Sequence, residues 1–390
     1  MAIRLLQDVA CEGRIVVIRQ DLNVPMKDGV ITNDKRIRAA LPGVRMALEK
    51  GAAGVVLLSH LGRPVEGEFD AKFSLAPVAA HLSSLLGRKV RLAATPEEAR
   101  PAPGEIVLLE NVRFFKGEKK NDPALAARFA ALGDIYVMDA FGAAHRAHAS
   151  TEGAVRQAAT ACAGPLMAAE LEAFGRVLHN PARPLAAIIG GSKVSSKLGL
   201  LENLVDKVDS LIVGGGIANT FLAASGVSVG ASLYEPDLVE EARRIMDKAA
   251  AQGKSLPLPV DVVTAAALEP GQKAVTRAVS DVPADEMILD IGPRTVALYE
   301  ELLGQAATIV WNGPVGAFEV EPFGAGTRAL ATALAASSAF VVVGGGDSVA
   351  AVESYGLADR MGYISTGGGA SLELLEGKVL PSVAALEARG

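Results

Sequence analysis

The chain has 390 residues, of which 50% are hydrophobic, 21% are charged and 4% are aromatic, and its formal net charge is −6. The abundance of Ala, Val, Leu and Gly is typical of buried parallel strands covered by helices, and the length predicts two domains. The negative net charge disfavours a general nucleic-acid binder.

The charge is distributed unevenly between the two halves of the chain. Residues 1–180 carry 23 Lys and Arg against 20 Asp and Glu, whereas residues 181–390 carry 15 against 24. We therefore expect the first half to attract a small acidic molecule. We expect no nucleic-acid partner, because this small excess of cations does not make a polyanion groove.

Cysteine content and hydropathy bear on the compartment. Cys11 and Cys162 are the only cysteines, and their spacing predicts neither a disulfide framework nor a zinc site. The first residues lack the pattern of a signal peptide. The longest uncharged run, 329–346, contains polar residues and ends in three glycines, which favours a helix and a buried strand over a membrane span. We expect a cytoplasmic protein with no membrane partner.

Apolar runs of strand length recur along the chain. They lie at residues 15–18, 55–58, 106–109, 135–138, 186–189, 210–213, 308–311 and 340–343. Most are followed by Gly, Asp, Asn or His and then by helical spacing, as in residues 75–86 and 238–251. This alternation predicts an α/β fold with a parallel sheet in each half, with ligands at the carboxyl ends of the strands.

A helical pattern at residues 166–179 separates the two halves. It ends at Asn180-Pro181, and Arg183-Pro184 follows closely. Two prolines so close together stop a helix and stiffen the following segment. We interpret this stretch as a helix that connects two domains.

Cationic motifs follow the strands of the first half. They read R-Q-D-L-N-V-P (19–25), S-H-L-G-R-P (59–64), E-N-V-R-F (110–114) and H-R-A-H (145–148). Planar guanidinium groups bind phosphates and carboxylates through paired N–H donors, so these motifs favour an acidic, phosphorylated ligand over solvated surface charges. His145 and His148 could instead share a helix face and bind a metal, but no further ligand at suitable spacing supports that alternative.

Glycine-rich motifs follow the strands of the second half. They read G-G-S-K (190–193), V-G-G-G-I (213–217), V-G-G-G-D (343–347) and S-T-G-G-G-A-S (365–371). Glycines let a phosphate approach backbone amides at helix N-termini, although any one motif alone is as well explained by a tight turn. Lys193 and Lys197 are predicted to lie on one helix face. Asp347 is predicted to hold Mg²⁺, and the Ser348 hydroxyl is predicted to donate a hydrogen bond to a phosphate.

Two common nucleotide signatures are absent. The chain contains neither G-x-x-x-x-G-K-[ST] nor G-x-G-x-x-G, which disfavours a Walker-type ATPase and an ordinary dinucleotide fold. Trp311 is predicted in the core, and Asn312 at the turn that follows is available to a ligand. Glu319 is either a surface carboxylate or an acceptor for ribose hydroxyls.

These motifs, in this order, resemble the phosphoglycerate kinase family over nearly the whole chain. The resemblance also includes W-N-G-P-V-G-A-F-E at 311–319 and the extension of the last motif through L-E-L-L-E-G to residue 377. Gln20 stands where the family usually has a small or apolar residue. Ala143 precedes Ala144-His145, where the family commonly has Gly-Thr-Ala-His.

The resemblance implies two doubly wound, Rossmann-like parallel-sheet domains that face each other across a cleft and are joined by a connecting helix. Its expected segments are an acid-binding domain (1–168), a hinge helix (169–182), a nucleotide-binding domain (183–376) and a tail that returns to the first domain (377–390). The implied reaction is reversible, Mg²⁺-dependent phosphoryl transfer between 1,3-bisphosphoglycerate and ADP, giving 3-phosphoglycerate and ATP by direct in-line transfer in the closed cleft of a cytoplasmic monomer.

Site residues follow from the matching motif positions. The acid-binding set comprises Asp21, Leu22, Asn23, Arg36, His60, Leu61, Gly62, Arg63, Arg113 and Arg146. The set that binds ATP or ADP comprises Lys197, Asn312, Glu319, Gly346, Asp347, Ser348 and Val349, with Asp347 as the metal ligand. The expected catalytic groups are Arg36, Lys193, Lys197 and the amides of Gly346 and Gly369.

The chemistry explains why no general base stands out. A carboxylate acceptor is already ionised at neutral pH, so catalysis reduces to alignment and neutralisation of the transferring phosphoryl oxygens. Two alternatives remain at this point, namely an NAD-dependent dehydrogenase and a non-catalytic, two-lobed metabolite-binding protein. The missing dinucleotide signature disfavours the first, and the lysines with Asp347 have no use in the second.

Overall fold

The computed structural model describes residues 3–390. These residues divide into two compact units, and each is described by itself. The first unit comprises the described residues up to Glu172 together with Val379–Gly390, and the second comprises Ala173–Lys378.

The first unit is built on a parallel sheet. Its strands are β1 (Ile15–Gln20), β2 (Met26–Lys27), β3 (Val30–Ile31), β4 (Gly54–Leu58), β5 (Val90–Ala93), β6 (Ile106–Leu109), β7 (Ile135–Asp139) and β8 (Thr160–Ala163). Six of them form one sheet in the order β5-β6-β4-β1-β7-β8, and β2 and β3 form a separate hairpin. Its helices are α1 (Lys35–Glu49), α2 (Ala76–Leu86), α3 (Pro123–Ala130), α4 (Ala154–Gln157) and the beginning of α5 (Pro165–Leu178).

The second unit contains two sheets. Its strands are β9 (Leu185–Ile189), β10 (Ser210–Val213), β11 (Asp261–Ala265), β12 (Val275–Ala278), β13 (Met287–Ile291), β14 (Thr308–Asn312), β15 (Phe340–Gly344) and β16 (Tyr363–Ile364). A parallel sheet has the order β10-β9-β14-β15-β16, and an antiparallel sheet has the order β12-β11-β13.

Helices follow most strands of the second unit. They are α6 (Leu198–Lys207), α7 (Gly215–Ala224), α8 (Val239–Ala251), α9 (Pro293–Gly304), α10 (Ala325–Ala336), α11 (Gly346–Ser354) and α12 (Gly369–Leu375). The last helix, α13 (Pro381–Glu387), belongs to the first unit, where Ser382 N donates to Ala144 O at 3.2 Å.

The central strands are apolar because both faces of each parallel sheet are covered. Every residue of β4, β6, β7, β9 and β14 is buried, and their aliphatic runs read as continuous rather than alternating. Trp311 in β14 is fully buried, as predicted, and its indole Nε1 donates to Gly313 O at 2.7 Å. Such strands hold their carboxyl ends in fixed positions for the loops that follow.

The predicted α/β fold with parallel sheets is confirmed, and all eight predicted strands are present. The uncharged run 329–346 forms parts of α10 and β15, and within residues 3–390 no helix is long and apolar enough to cross a membrane. Sequence reasoning missed the antiparallel sheet, since no residue of β12 is buried and only the last three residues of β13 are.

Candidate functional site

The loops after four neighbouring strands bring the predicted acid-binding residues to one edge of the first sheet. Asp21 and Asn23 follow β1, His60 and Arg63 follow β4, Arg113 follows β6 and Arg146 follows β7. Arg36 lies in the first turn of α1. Because β6, β4, β1 and β7 are adjacent and parallel, their carboxyl ends meet at the same edge. We call the group Asp21, Asn23, Arg36, His60, Arg63, Arg113 and Arg146 the arginine site.

Hydrogen bonds fix the loop around Gly62. Its amide donates to Asn23 Oδ1 at 2.8 Å, and its carbonyl accepts a bond from Arg113 Nη1 at 2.5 Å. Gly62 has a φ of +60°, and a Cβ there would lie 2.3 Å from the ring of Phe73, so the turn requires glycine. The side chains of Leu22 and Leu61 are buried in the core, so these residues offer only backbone groups to a ligand.

The arginines of this site keep unused donors. Arg36, in the first turn of α1, donates from Nη1 to Asp21 Oδ2 at 3.0 Å and to Asn23 O at 3.3 Å. Arg146 donates from Nε to His145 Nε2 at 3.1 Å. Arg63 is exposed and makes no hydrogen bond within the described part of the chain. Each guanidinium carries five N–H donors, so most of them are left for a ligand.

Positive charge is concentrated around His60. Burial lowers the pKa of His60 well below its usual value, and Arg19, Arg113, Arg146 and Arg36 lower it further. Burial, followed by the charge of Arg146, also lowers the pKa of the Arg113 guanidinium to about 10. Cationic groups crowded together at one edge of a sheet, where each opposes the positive charge of the others, favour the binding of an anion.

Sequence reasoning missed the layer beneath this site. Arg19 is 1% exposed, and its Nη2 lies 3.3 Å from His60 Nδ1. Glu118 is fully buried and is linked to Arg19 through Ser150. Glu118 lies in the run K-G-E-K-K, which is typical of a solvated surface, so the sequence offered no signal for it.

The histidines of H-R-A-H do not share a helix, and the metal alternative is not supported. His148 Nδ1 lies 3.8 Å from Glu118 Oε1, and burial lowers the pKa of His148 to about 4, with Arg113 as the next cause. Within residues 3–390 no group of three or more His, Cys, Asp or Glu side chains is arranged to hold a metal ion.

The second unit has a cleft of about 320 Å³ at the carboxyl ends of its parallel strands. Its polar side consists of residues from or next to three of the glycine-rich motifs, Asp347 among them, together with Glu319. Its apolar side, which the sequence did not reveal, comprises Leu233, Leu268, Met287, Ile288 and Leu289. We call the cleft, together with Lys193, Lys197 and the N-termini of α7, α11 and α12, the glycine site.

Close backbone packing explains part of the glycine content. A Cβ at Gly216 would lie 2.2 Å from Ser192 O, because the loops after β9 and β10 pack directly against each other. Gly346 is different, since its Cβ direction is open, with nothing within 4 Å. It is the first residue of α11, where backbone amides are unpaired by the helix and attract anions.

Lys193 and Lys197 do not lie on a helix face, and that prediction is wrong. Both precede α6, which begins at Leu198. Lys197 Nζ donates to Gly190 O at 2.6 Å and to Asn312 O at 2.9 Å, whereas Lys193 is exposed. Burial lowers the pKa of Lys197 to about 8, and the nearby charge of Asp347 opposes that shift.

The remaining predicted nucleotide residues differ in accessibility. Ser348 is fully buried, and its Oγ accepts a bond from Gly313 N at 2.5 Å. Asn312 is also buried, at the end of β14. Glu319, Asp347 and Gly369 are exposed, and Val349 is half-buried. The exposed carboxylates therefore offer side-chain contacts, whereas α11 and α12 offer backbone amides.

Comparison with known proteins gives one consistent match. The phosphoglycerate kinase family model matches residues 6–378. A phosphoglycerate kinase of Desulfovibrio desulfuricans is 71% identical over 389 residues, covering all of both chains. One of Nitratidesulfovibrio vulgaris is 61% identical, covering 100% of this chain and 99% of the relative.

Solved structures agree with this match. The phosphoglycerate kinase of Coxiella burnetii superposes with a TM-score of 0.96 at 53% identity, covering all of both chains. That of Pyrococcus horikoshii superposes with a TM-score of 0.84 at 33% identity, covering 100% of this chain and 99% of the other.

Proposed function

The chain belongs to the phosphoglycerate kinase family, and on this premise we propose that its arginine site binds 3-phosphoglycerate and its glycine site binds the adenine nucleotide. The enzyme is a phosphotransferase of glycolysis that has a carboxyl group as acceptor. The dehydrogenase and the non-catalytic binding protein are not supported. What remains to be assigned is the role of each residue.

The concentration of guanidinium groups around His60 carries the assignment of the acid site. Arg36, Arg113 and Arg146 all act on the His60 ring, so their charges lie close together at one sheet edge. A molecule with a phosphate and a carboxylate offers enough oxygens to pair with these donors and with Arg63. Asp21 holds Arg36 in place, and Asn23 holds the Gly62 turn.

The glycine site fits a nucleotide in the same way. The apolar wall suits a base, and the amides at the N-termini of α11 and α12 suit phosphate oxygens. In this assignment Glu319 accepts hydrogen bonds from the ribose hydroxyls. Asn312 and Ser348 shape the floor, because Asn312 O orients Lys197 and Ser348 Oγ holds the amide of Gly313. Val349 contributes through the first turn of α11.

The donor set also fits Mg²⁺ bound together with a nucleotide. Asp347 presents an exposed carboxylate in the cleft, and Mg²⁺ is usually held by one or two carboxylates plus phosphate oxygens and waters. Asp347 would hold the ion, which would neutralise charge on the phosphate oxygens.

No residue needs to remove a proton in the ATP-consuming direction. The acceptor carboxylate attacks the terminal phosphorus in line, the bond to the ADP oxygen breaks, and the reverse reaction forms ATP. We assign the neutralisation of the transferring phosphoryl oxygens to Arg36, Lys193, Lys197 and the amides of Gly346 and Gly369. Removal of one such donor typically costs roughly 3 to 4 kcal/mol of transition-state stabilisation.

Direct transfer requires both substrates to meet, so we assign residues 169–182 as the hinge, 1–168 with 377–390 as the acid-binding domain, and 183–376 as the nucleotide domain. Closure excludes water, which would otherwise compete for the phosphoryl group. Small-angle scattering with both substrates should show compaction. An unchanged radius of gyration in a turning-over sample would count against closure.

We assign a cytoplasmic monomer, because one chain carries both sets of groups and its two cysteines are free thiols. The decisive experiment measures ATP formation from ADP and 1,3-bisphosphoglycerate, with and without Mg²⁺. We expect turnover that depends on Mg²⁺, and sedimentation should give the mass of a single chain. Well-folded protein without turnover would refute the assignment of the sites.

A further inference from the structure

A buried hydrogen-bonded chain beneath the arginine site has no role in the function assigned so far. Its members are Arg19, Ser150 and Glu118, which are 1%, 0% and 0% exposed. Arg19 Nε donates to Ser150 Oγ at 2.8 Å. Ser150 lies 2.5 Å from Glu118 Oε1 through its hydroxyl and 2.9 Å from Glu118 Oε2 through its amide.

The direction of each bond follows from the chemistry of the groups. A guanidinium only donates, so Ser150 Oγ accepts from Arg19 and its own proton goes to Glu118. The Ser150 amide also donates to Glu118, so both carboxyl oxygens accept a hydrogen bond, as the oxygens of a carboxylate do. Tyr136 donates from its hydroxyl to Ser150 O at 2.6 Å and braces the serine from β7.

At the other end of this hydrogen-bonded series, Arg19 reaches His60. Arg19 Nη2 lies 3.3 Å from His60 Nδ1, and because Arg19 only donates, Nδ1 is the acceptor. The His60 ring is therefore neutral and carries its proton on Nε2. The described part of the chain supplies no hydrogen-bond partner for Nε2, so this N–H is available to a ligand oxygen.

Other charged groups around these residues favour a neutral His60 ring. Arg113, Arg146 and Arg36 face His60 from the loops after β6 and β7 and from α1, and they oppose a positive ring. Burial raises the pKa of Glu118, whereas Arg19 and Arg113 lower it. His148 lies 3.8 Å from Glu118, and its pKa is lowered, so it adds no positive charge at neutral pH. When it is ionised, Glu118 offsets the charge of Arg19.

We propose that Glu118 is a positioning residue that, through Ser150 and Arg19, holds His60 as the Nε2–H tautomer and directs that N–H to an oxygen of the phosphoglycerate. This inference rests on the proposed assignment of His60 to the phosphoglycerate site. Glu118 itself does not touch the substrate. Its effect is on the geometry and tautomer of a residue that does.

The test combines ring nitrogen NMR of His60 with steady-state kinetics of Glu118→Gln. Wild type should show the Nε2–H tautomer, and the variant should show a mixture or a shifted Nδ1 signal. The KM for 3-phosphoglycerate should rise by about tenfold, the size expected when one hydrogen bond to a charged group is lost, while the KM for ATP stays unchanged.

Glu110→Gln is the matched control. Glu110 is also a buried carboxylate of the first unit, and it accepts bonds from Ser74 Oγ and Leu75 N, both at 2.7 Å. It has no hydrogen bond to the Arg19 chain among the described contacts. Both variants should lose stability, but the tautomer of His60 should change in Glu118→Gln alone. An equal change in both would reduce the role of Glu118 to packing and overturn the proposal.

Two variants of Ser150 keep the test decisive if Glu118→Gln does not fold. Ser150→Ala keeps the Glu118 carboxylate but removes the hydroxyl that links it to Arg19, and it should reproduce the change at His60. Ser150→Thr keeps a hydroxyl and should restore the wild-type tautomer and KM. An unaltered His60 signal in Ser150→Ala would refute the inference.

The same spectra separate this inference from the site assignment. In wild type, 3-phosphoglycerate should shift the His60 Nε2 signal. If it does not, the placement of His60 at the acid site fails. If it does, but the tautomer is insensitive to Glu118 and Ser150, the inference alone fails.

Discussion

In the proposed assignment, the two sites hold anions by different means. The arginine site uses long charged side chains from α1 and from the loops after three strands, above a buried layer of Arg19 and Glu118. The glycine site uses backbone amides at helix N-termini, with Lys197 as a partly buried charge. Ligand binding at the first site can therefore be weakened by removing one charged side chain at a time. At the second site, binding is weakened mainly by adding a side chain where the ligand must approach the backbone amides.

The largest effect should come from Arg36→Ala. We expect kcat to fall by about 10²- to 10³-fold, because one donor to the transferring phosphoryl group is removed. Stability should change little, since the ion pair with Asp21 joins an arginine that is 39% exposed. Calorimetry should give unchanged ADP affinity, and a weakened affinity would mean that Arg36 belongs with the nucleotide.

Lys197→Met should reduce kcat by roughly 10²-fold, for the same electrostatic reason. In wild type, kcat/KM for the nucleotide should fall above about pH 8, because the lysine pKa of about 8 in the free enzyme makes it lose its charge there. A pH profile checks this, and the limb should be absent in Lys197→Met. Persistence of the limb in the variant would assign it to another group.

The effect of Lys197 on stability should rise with pH, whereas its effect on activity falls. Its folded pKa of about 8 lies below the ordinary 10.5, so between these values the unfolded chain binds more protons. The contribution of Lys197 to the free energy of unfolding should therefore rise from pH 8 to 10.5 and be constant below pH 8. Denaturant titrations of wild type and Lys197→Met over this range measure the difference.

Gly346→Ala should have a smaller and more selective effect. The added methyl has free space in the protein, so the melting temperature should not change. It would stand where a phosphate must approach the α11 amides, and we expect roughly tenfold weaker ADP binding. Gly304→Ala, also with open space and away from the cleft, is the control. Equal ADP affinity in both variants would place the phosphates elsewhere.

The smallest effect should come from Asp347→Asn. The amide keeps an oxygen ligand but loses the charge, so the Mg²⁺ concentration for half-maximal activity should rise by a few-fold. Titration of activity with Mg²⁺ at saturating substrates measures this. The arginine site should be untouched, so an altered KM for 3-phosphoglycerate would contradict the assignment of Asp347.

Strand positions and motif order were readable because buried parallel strands have continuous apolar runs and because ligand loops follow them directly. The eight predicted strands and the placement of Asn23, His60 and Arg113 at one sheet edge needed no tertiary information. The helix face predicted for Lys193 and Lys197 was wrong, since spacing of four residues does not show that α6 begins only at Leu198. Ser348 likewise looked available in the sequence but is buried against Gly313.

The sequence by itself determined the α/β class, the two kinds of anion-binding motif and the family, because these depend on local patterns along the chain. Only the tertiary structure decided that Glu118, in a run of lysines, is buried beneath Arg19, and that Leu268 and Met287 line the cleft of the second unit. Such contacts join residues far apart in the chain, and burial changes both the charge state and the accessibility of a side chain. The pKa of Lys197, about 8 instead of 10.5, illustrates that dependence.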